Sequence, residues 1–226
     1  MSNIALIPAR KNSKGVPGKN KRLLAGLPLV AHSIDFAARS SVIDKIVLNT
    51  DDEDIAEYCS KNHDAVEIYM RSQSLAQDDT GMADVLVDYI KTTSCQADFI
   101  ILLQPTSPIR NHNDLTEMLA LINSDSGIHC VTSVSEVPQH FSPHLMFSMI
   151  ETKLTTLIGQ MPTRRQNVPK SYIRDGQIYV IRVSSLLQHQ AIIALETHGF
   201  VSSESGVNID TEEDWVHAVS LYSKGL

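Results

Sequence analysis

Short apolar runs alternate with helix-patterned segments along most of this chain, and that alternation constrains its fold more than any other feature. Ile4-Ala5-Leu6-Ile7, Ile46-Val47-Leu48, Ala65 to Met70, Phe99-Ile100-Ile101-Leu102-Leu103 and Ile128 to Val134 have the length of strands. The first, second and fourth of these are apolar at every position, which marks a strand buried on both faces inside a parallel sheet. Between these runs, Leu29, Val30, Ile34, Ala37 and Ala38 mark one helix face, Ile55, Ala56, Tyr58 and Cys59 a second, and Val85, Leu86, Tyr89 and Ile90 a third. Leu115, Met118, Leu119 and Ile122 follow the i, i+3, i+4, i+7 spacing of an amphipathic helix. The alternation predicts an α/β fold with a mainly parallel sheet and, through right-handed crossovers, helices on both faces. Ligands of such sheets bind beyond the carboxyl ends of the strands, which selects the loops after Ile7, Leu48, Met70 and Leu103.

The rhythm breaks over residues 135–172. Pro138, Pro143, Pro162 and Pro169 rule out long helices there. Phe141, Leu145, Met146, Phe147 and Met149 are apolar without a helical face. The stretch reads as an excursion from the core and as a dimerisation arm, with Phe141, Leu145 and Phe147 as candidate contacts in a homodimer. The sheet is expected to resume with Ile178-Tyr179-Val180-Ile181 and Ile192-Ile193-Ala194-Leu195, and a last helix to carry Trp215, Ala218, Val219 and Tyr222. A chain of 226 residues suits one domain spanning residues 1–226, excursion included.

Composition narrows the function. The net charge of −7 argues against a general nucleic-acid binder. No apolar run approaches the roughly 18 residues of a membrane span, and the N-terminus lacks the basic and apolar regions of a signal peptide. Cys59, Cys95 and Cys130 form neither a disulfide framework nor a zinc pattern, so free thiols in a cytoplasmic protein are expected. Against the acidic background, Arg10, Lys11, Lys14, Lys19, Lys21 and Arg22 crowd into one loop. Such a knot suits a phosphate chain or a plain solvated basic loop.

That loop, Ile7-Pro8-Ala9-Arg10-Lys11-Asn12-Ser13-Lys14-Gly15-Val16-Pro17-Gly18-Lys19-Asn20, follows the first strand directly. Its glycines let backbone approach a ligand, and its N–H groups and lysines can hold a triphosphate. The P-loop spacing and the dinucleotide fingerprint are both absent. The loop resembles the signature of the acylneuraminate cytidylyltransferases, the CMP-sialic acid synthetase family. Leu75-Ala76-Gln77-Asp78-Asp79, Leu103-Gln104-Pro105-Thr106-Ser107-Pro108-Ile109-Arg110, Arg164-Arg165-Gln166 with Asp175-Gly176-Gln177-Ile178-Tyr179, and Asn208-Ile209-Asp210-Thr211-Glu212-Glu213-Asp214 fit the same family in the same order.

The resemblance implies a Rossmann-like nucleotidyltransferase fold with a dimerisation arm. It implies transfer of CMP from CTP to the anomeric hydroxyl of a nine-carbon keto-acid sugar, with release of pyrophosphate and help from Mg2+ or Mn2+. Matched by position, Arg10, Ser13, Lys14 and Lys19 would serve the phosphates, with Arg10 and Lys14 facing transition-state charge. Lys21, Arg71, Asp78 and Asp79 would position the nucleotide. Gln104, Arg165, Asp175 and Tyr179 would meet the sugar, and Asp210, with Asn208, would hold the metal. Plainer readings stay open: Arg71 and Arg110 as surface residues, Asp78 to Thr80 as a helix start, Asp210 as an N-cap, and Tyr179 as sheet packing.

Two positions depart from the family pattern. Asn208 stands where an acid is usual, and Ile173-Arg174-Asp175-Gly176 replaces Arg-Pro-Asn-Gly, so a carboxylate takes the place of an amide beside the expected sugar. Legionaminate or a related nonulosonate is therefore as good a candidate as N-acetylneuraminate. The alternatives are a nucleotidyltransferase for another acidic sugar and a catalytically weak nucleotide-binding protein.

Overall fold

The computed structural model describes residues 1–160 and 162–224, with the side chain of Arg165 outside that description. In chain order the elements are β1 (Asn3–Ala9), β2 (Leu23–Leu24), β3 (Leu27–Pro28), α1 (Leu29–Ala38), β4 (Lys45–Thr50), α2 (Glu53–Asn62), β5 (Val66–Met70), α3 (Met82–Thr92), β6 (Phe99–Leu102) and α4 (His112–Ser124). There follow β7 (Cys130–Glu136), β8 (Phe147–Ile150), β9 (Lys153–Thr156), β10 (Tyr172–Arg182), α5 (Val183–His189), β11 (Thr197–Val201) and α6 (Glu212–Ser223). The main sheet has seven strands in the order β11-β7-β10-β6-β1-β4-β5. Its strands run parallel except β10, which lies antiparallel between β6 and β7.

Burial explains the layers. Along β1 and β6 alternate side chains face opposite sides. Ala5, Ile7 and Ile101 join Val30, Ile34 and Ala37 of α1, Ile55 of α2, and Leu115, Met118 and Ile122 of α4 in one core cluster. Ile4, Leu6, Ile100 and Leu102 join Leu86, Tyr89 and Ile90 of α3 and Leu186 of α5 in the cluster on the other face. Helices therefore cover both faces, and each fully buried leucine or isoleucine contributes roughly 1.5–3 kcal/mol. A third cluster packs Val16 of the basic loop against Ile109, Ile209, Trp215 and Ala218. Three functional segments thus share one anchor.

Three local expectations need correcting. Ile192 to Leu195 is not a strand; the pairing segment is β11, five residues further on in start, in parallel register with Cys130 to Val134 of β7. Ile192 packs into the second cluster, whereas Leu195 is 95% exposed. Helix α5 leaves no pattern in the sequence, because only Val183 and Leu186 are buried and the segment is too short to show a period. The excursion is also more ordered than its prolines suggest. Its described residues include three 3-10 turns, Gln139–Phe141, Pro143–Leu145 and Arg165–Asn167, and the hairpin β8–β9, all four residues of whose first strand are exposed. It leaves at Glu136 and returns at Tyr172, which are paired, and Val137 N donates to the Ser171 carbonyl at 2.8 Å.

Candidate active site

β1 is where the strand order reverses, with β6 on one side and β4 on the other. At the carboxyl ends of these strands lies a cleft lined by Pro8 of β1, Arg10, Ser13, Lys19 and Asn20 from the loop after it, Arg71 and Met82, Gln104, Pro105 and Thr106 after β6, and Asp210. The loop is shaped by two glycines. A Cβ on Gly15 would collide with the Asp210 carbonyl oxygen, and Gly18 takes a left-handed φ of 63° at the start of a 3-10 turn over Lys19–Lys21. Lys19 is buried along its stem. Its Nζ donates to the Ile209 carbonyl at 2.5 Å and lies 3.1 Å from Asp210 Oδ1, so it ties the loop to the opposite wall. Asn20 Nδ2 donates to the Arg10 carbonyl at 3.0 Å.

At the mouth, Asp78 binds Arg10 Nη1 at 2.8 Å and Lys14 Nζ at 2.7 Å. Lys14, followed by Arg10, holds the Asp78 carboxyl below its ordinary value. Asp79 lies exposed beside it. This pair does not start α3, whose N-cap is Gly81. Nor is Arg71 a surface residue: it is 7% exposed, and its Nε and Nη2 donate to Asn49 Oδ1 and the Asn49 carbonyl at 2.7 and 2.9 Å. Burial lowers its pKa.

The Gln104 segment meets β10 at a bulge, where the register with β7 shifts between Arg174 and Tyr179. Gly176, at φ 76°, sits so close that a Cβ would lie 2.7 Å from Ser107 Oγ and 3.6 Å from Gln104 Oε1. Arg110 is likewise no free surface residue: it donates to the carbonyls of Gln104 and Gln177 and to Ser33. On the far wall, Ile209 N donates to the Thr106 carbonyl at 2.8 Å.

A cleft at the strand ends, walled by a cationic glycine loop, a glutamine after β6 and a carboxylate, suits an anionic ligand. Comparison with known proteins gives the family. The cytidylyltransferase family model matches residues 4–197. The chain belongs to the cytidylyltransferase family. It is 30% identical to the N-acylneuraminate cytidylyltransferase of Streptococcus agalactiae serotype V over 97% of its own length, but it spans only 53% of that relative. It is 30% identical to the CMP-N,N'-diacetyllegionaminic acid synthase of Legionella pneumophila, covering 95% of the chain and 94% of the relative. A CMP:2-keto-3-deoxy-manno-octonic acid synthetase solved with CTP superposes with a TM-score of 0.77 over 100% of both chains; at 17% identity it shares the fold.

In this cytidylyltransferase-family chain the remaining expected site residues scatter. Lys21 points away from the cleft, to Asp52 at 3.1 Å and Asp54 at 2.7 Å at the start of α2, which hold its pKa up. Lys14 is 78% exposed at the mouth rather than in the cleft. Tyr179 is 6% exposed in the core cluster with Leu102 and Ile181, so it packs the sheet; burial raises its pKa. Asp175 keeps its carboxylate for the chain itself, as acceptor from Ser133, Ser135 and Ser202. Arg165 lies outside the described side chains. Sequence reasoning missed Asn20, Met82, Pro105 and Thr106, which line the cleft by position and carry no chemical mark of their own.

Asp210 is not the N-cap of α6; Thr211 is, in a capping box with Asp214. Asp210 thus keeps a carboxylate that is 61% exposed. Asn208 Nδ2 donates to Asp210 Oδ2 at 2.6 Å, so its amide nitrogen, not its oxygen, faces the carboxylate. Among the described residues no three acids, histidines or cysteines group as a metal cage. One protein carboxylate with phosphate oxygens and water is nevertheless an ordinary Mg2+ site.

Proposed function

We propose that this chain transfers CMP from CTP to the anomeric hydroxyl of a nonulosonic acid, with release of pyrophosphate. The observation that carries the reading is the cleft that joins Arg10, Ser13 and Lys19 to Gln104 and Asp210 at the point where the strand order reverses. In it, the N–H groups of the Ser13 to Gly18 loop and the side chains of Arg10, Ser13 and Lys19 hold the triphosphate and offset the charge that builds on the leaving pyrophosphate. Lys14 stands at the mouth as a further cation that Asp78 releases to the phosphates. Arg71 holds the nucleotide end, and Gln104 orients the sugar. Asp210, with Asn208 after rotation of its amide, holds Mg2+ or Mn2+, which supplies further charge neutralisation at the phosphates.

For the sugar, a legionaminate-type nonulosonate is as good a candidate as N-acetylneuraminate: the legionaminic and pseudaminic acid relatives match along 94% and 97% of their lengths, and the N-acylneuraminate relative has the same 30% identity as the legionaminic one. A homodimer completes the site. The arm's hairpin is exposed along the whole of β8, and in a homodimer the arm of a partner copy would cover the mouth of the cleft. A cytoplasmic setting agrees with three free cysteines, of which Cys59 and Cys130 are buried and pushed up to about 11 and about 12.

The test is pyrophosphate release from CTP and from ATP with N-acetylneuraminate, legionaminate and pseudaminate, with and without EDTA. CTP-specific, metal-dependent turnover of one of these sugars is expected, together with loss of most activity in Asp210→Asn. Equal rates with ATP, or full rates in EDTA, would overturn the reading.

A further inference from the structure

The backbone at Gln104 is held by a side chain that does not line the cleft. Arg110 Nη2 donates to the Gln104 carbonyl at 2.5 Å, Nε to the Gln177 carbonyl at 2.6 Å and Nη1 to Ser33 Oγ at 3.1 Å. One guanidinium therefore joins the loop after β6, the bulge of β10 and helix α1. All three acceptors are neutral, and burial pushes the Arg110 pKa down to about 9. A cation kept at such a junction is costly, and bonds from a charged donor are roughly twice as strong as neutral ones. The bonds leave from three different nitrogens of a rigid plane, whereas an ammonium gathers its three donors on one atom and cannot span the same acceptors in place.

The rest of the loop has other anchors. Ser107 N also donates to the Gln104 carbonyl, at 3.1 Å, Ile209 N donates to the Thr106 carbonyl, and Tyr222 Oη reaches the Pro108 carbonyl at 3.5 Å. These bonds do not depend on Arg110, so its own contribution is to hold residue 104 against residues 176 and 177. Arg110 also opens onto a second cavity, formed with His32, Phe36, Pro108, His112 and Tyr222. Pro105 and Thr106 face the cleft, and Pro108 and Ile109 face this cavity.

We infer that Arg110 is a positioning residue for the acceptor sugar: by clamping the carbonyls of Gln104 and Gln177 it fixes the Gln104 side chain and the Gly176 approach without touching the substrate. The inference rests on the proposed reading that Gln104 meets the sugar. It separates two substrates that share one cleft, because none of the Arg110 bonds reaches the residues assigned to CTP.

The experiment measures kcat and KM for CTP and for the best-used nonulosonate in wild type, Arg110→Ala, Arg110→Lys and Gln104→Ala, with thermal melts of each. In Arg110→Ala, kcat/KM for the sugar is expected to fall roughly 10- to 150-fold, the equivalent of one charged hydrogen bond. KM for CTP is expected to stay within about threefold, near 0.65 kcal/mol. Guanidinium at low millimolar concentration, entering through the second cavity, should restore part of the sugar kcat/KM in Arg110→Ala and leave wild type unchanged. Arg110→Lys keeps the charge and serves where Arg110→Ala does not fold; it should show the same split without rescue. Parallel losses for CTP and sugar, or sugar kinetics equal to wild type in the Arg110 variants beside a weakened Gln104→Ala, would overturn the positioning role alone. Unchanged sugar kinetics in Gln104→Ala would overturn the sugar reading of the cleft and the inference with it.

Discussion

Asp175 receives hydrogens from the hydroxyls of Ser133 and Ser202, each at 2.5 Å, from Ser135 at 3.3 Å, and from Gln177 N and Nε2 at 3.1 and 3.2 Å. An amide there keeps one acceptor oxygen and turns two N–H donors toward the hydroxyls. Asp175→Asn should therefore cost about 1.5–3 kcal/mol of stability, read as a lower denaturant midpoint at constant slope, with the sugar preference unmoved. A stable variant with an altered preference would instead return Asp175 to the sugar. Tyr179→Phe should leave kcat/KM for every sugar within about twofold, near 0.4 kcal/mol, because the ring lies in the core; a larger loss would mean its hydroxyl contacts substrate. At this scale the sequence was readable where chemistry and spacing coincide, as for Arg10, Ser13, Lys19, Gln104 and Asp210. It was unreadable where a charged group serves neutral backbone, as Arg110 does, since carbonyl partners leave no trace in residue type. Lys21 misled because its cationic neighbours mask the acids at 52 and 54 that claim it.

Helix α6 begins with a cap that does two tasks. Asp214 accepts from Thr211 N and Oγ, each at 2.8 Å, and also from Asp210 N at 3.0 Å. The cap thereby fixes the backbone that presents the Asp210 carboxylate. Thr211→Ala should cost about 0.5–2 kcal/mol and raise the Mg2+ concentration at half-maximal rate; an unchanged Mg2+ dependence would separate the cap from the site. Those N–H and hydroxyl donors, the Asp210 N–H foremost, hold the Asp214 carboxyl below its ordinary value. A carboxyl lowered on folding stabilises above its unfolded pKa of about 3.9 and loses that contribution as pH falls through the folded value. Urea unfolding between pH 5 and pH 2.5 should therefore show a shallower acid decline in Asp214→Asn than in wild type, and identical declines would refute the cap's share. Long buried elements such as β1, β6, α1 and α4 were legible because a continuous apolar run or a full helical period survives in them. β11 was misplaced because its edge position leaves only Phe200 packed against the main core, while the more apolar stretch before it is a turn.

For the molecule as a whole, the sheet class was legible but the strand order was not, because the antiparallel placement of β10 depends on where the excursion returns. On the hairpin, Phe147, Met149, Ile150 and Leu154 are 44%, 68%, 78% and 55% exposed. Homodimer interfaces are apolar at their centre. Light scattering at micromolar concentration should give a dimer, and Met149→Asp with Ile150→Asp a monomer that still melts cooperatively; a wild-type monomer would remove the partner arm proposed over the cleft. The paired ends of the excursion have a further consequence. Because Glu136 and Tyr172 are ladder neighbours, the chain between them is a cassette hung on one rung, and a hairpin turn closes the same gap. Replacing residues 138–170 by Asn-Gly, a turn suited to adjacent antiparallel strands, should yield a folded monomer that still binds CTP. Loss of the fold would show that the cassette is stitched into the core. If it holds, assembly and nucleotide binding in this chain are separately heritable: the arm can be exchanged for another and choose a new partner while the phosphate loop and the strand ends beneath it stay as they are.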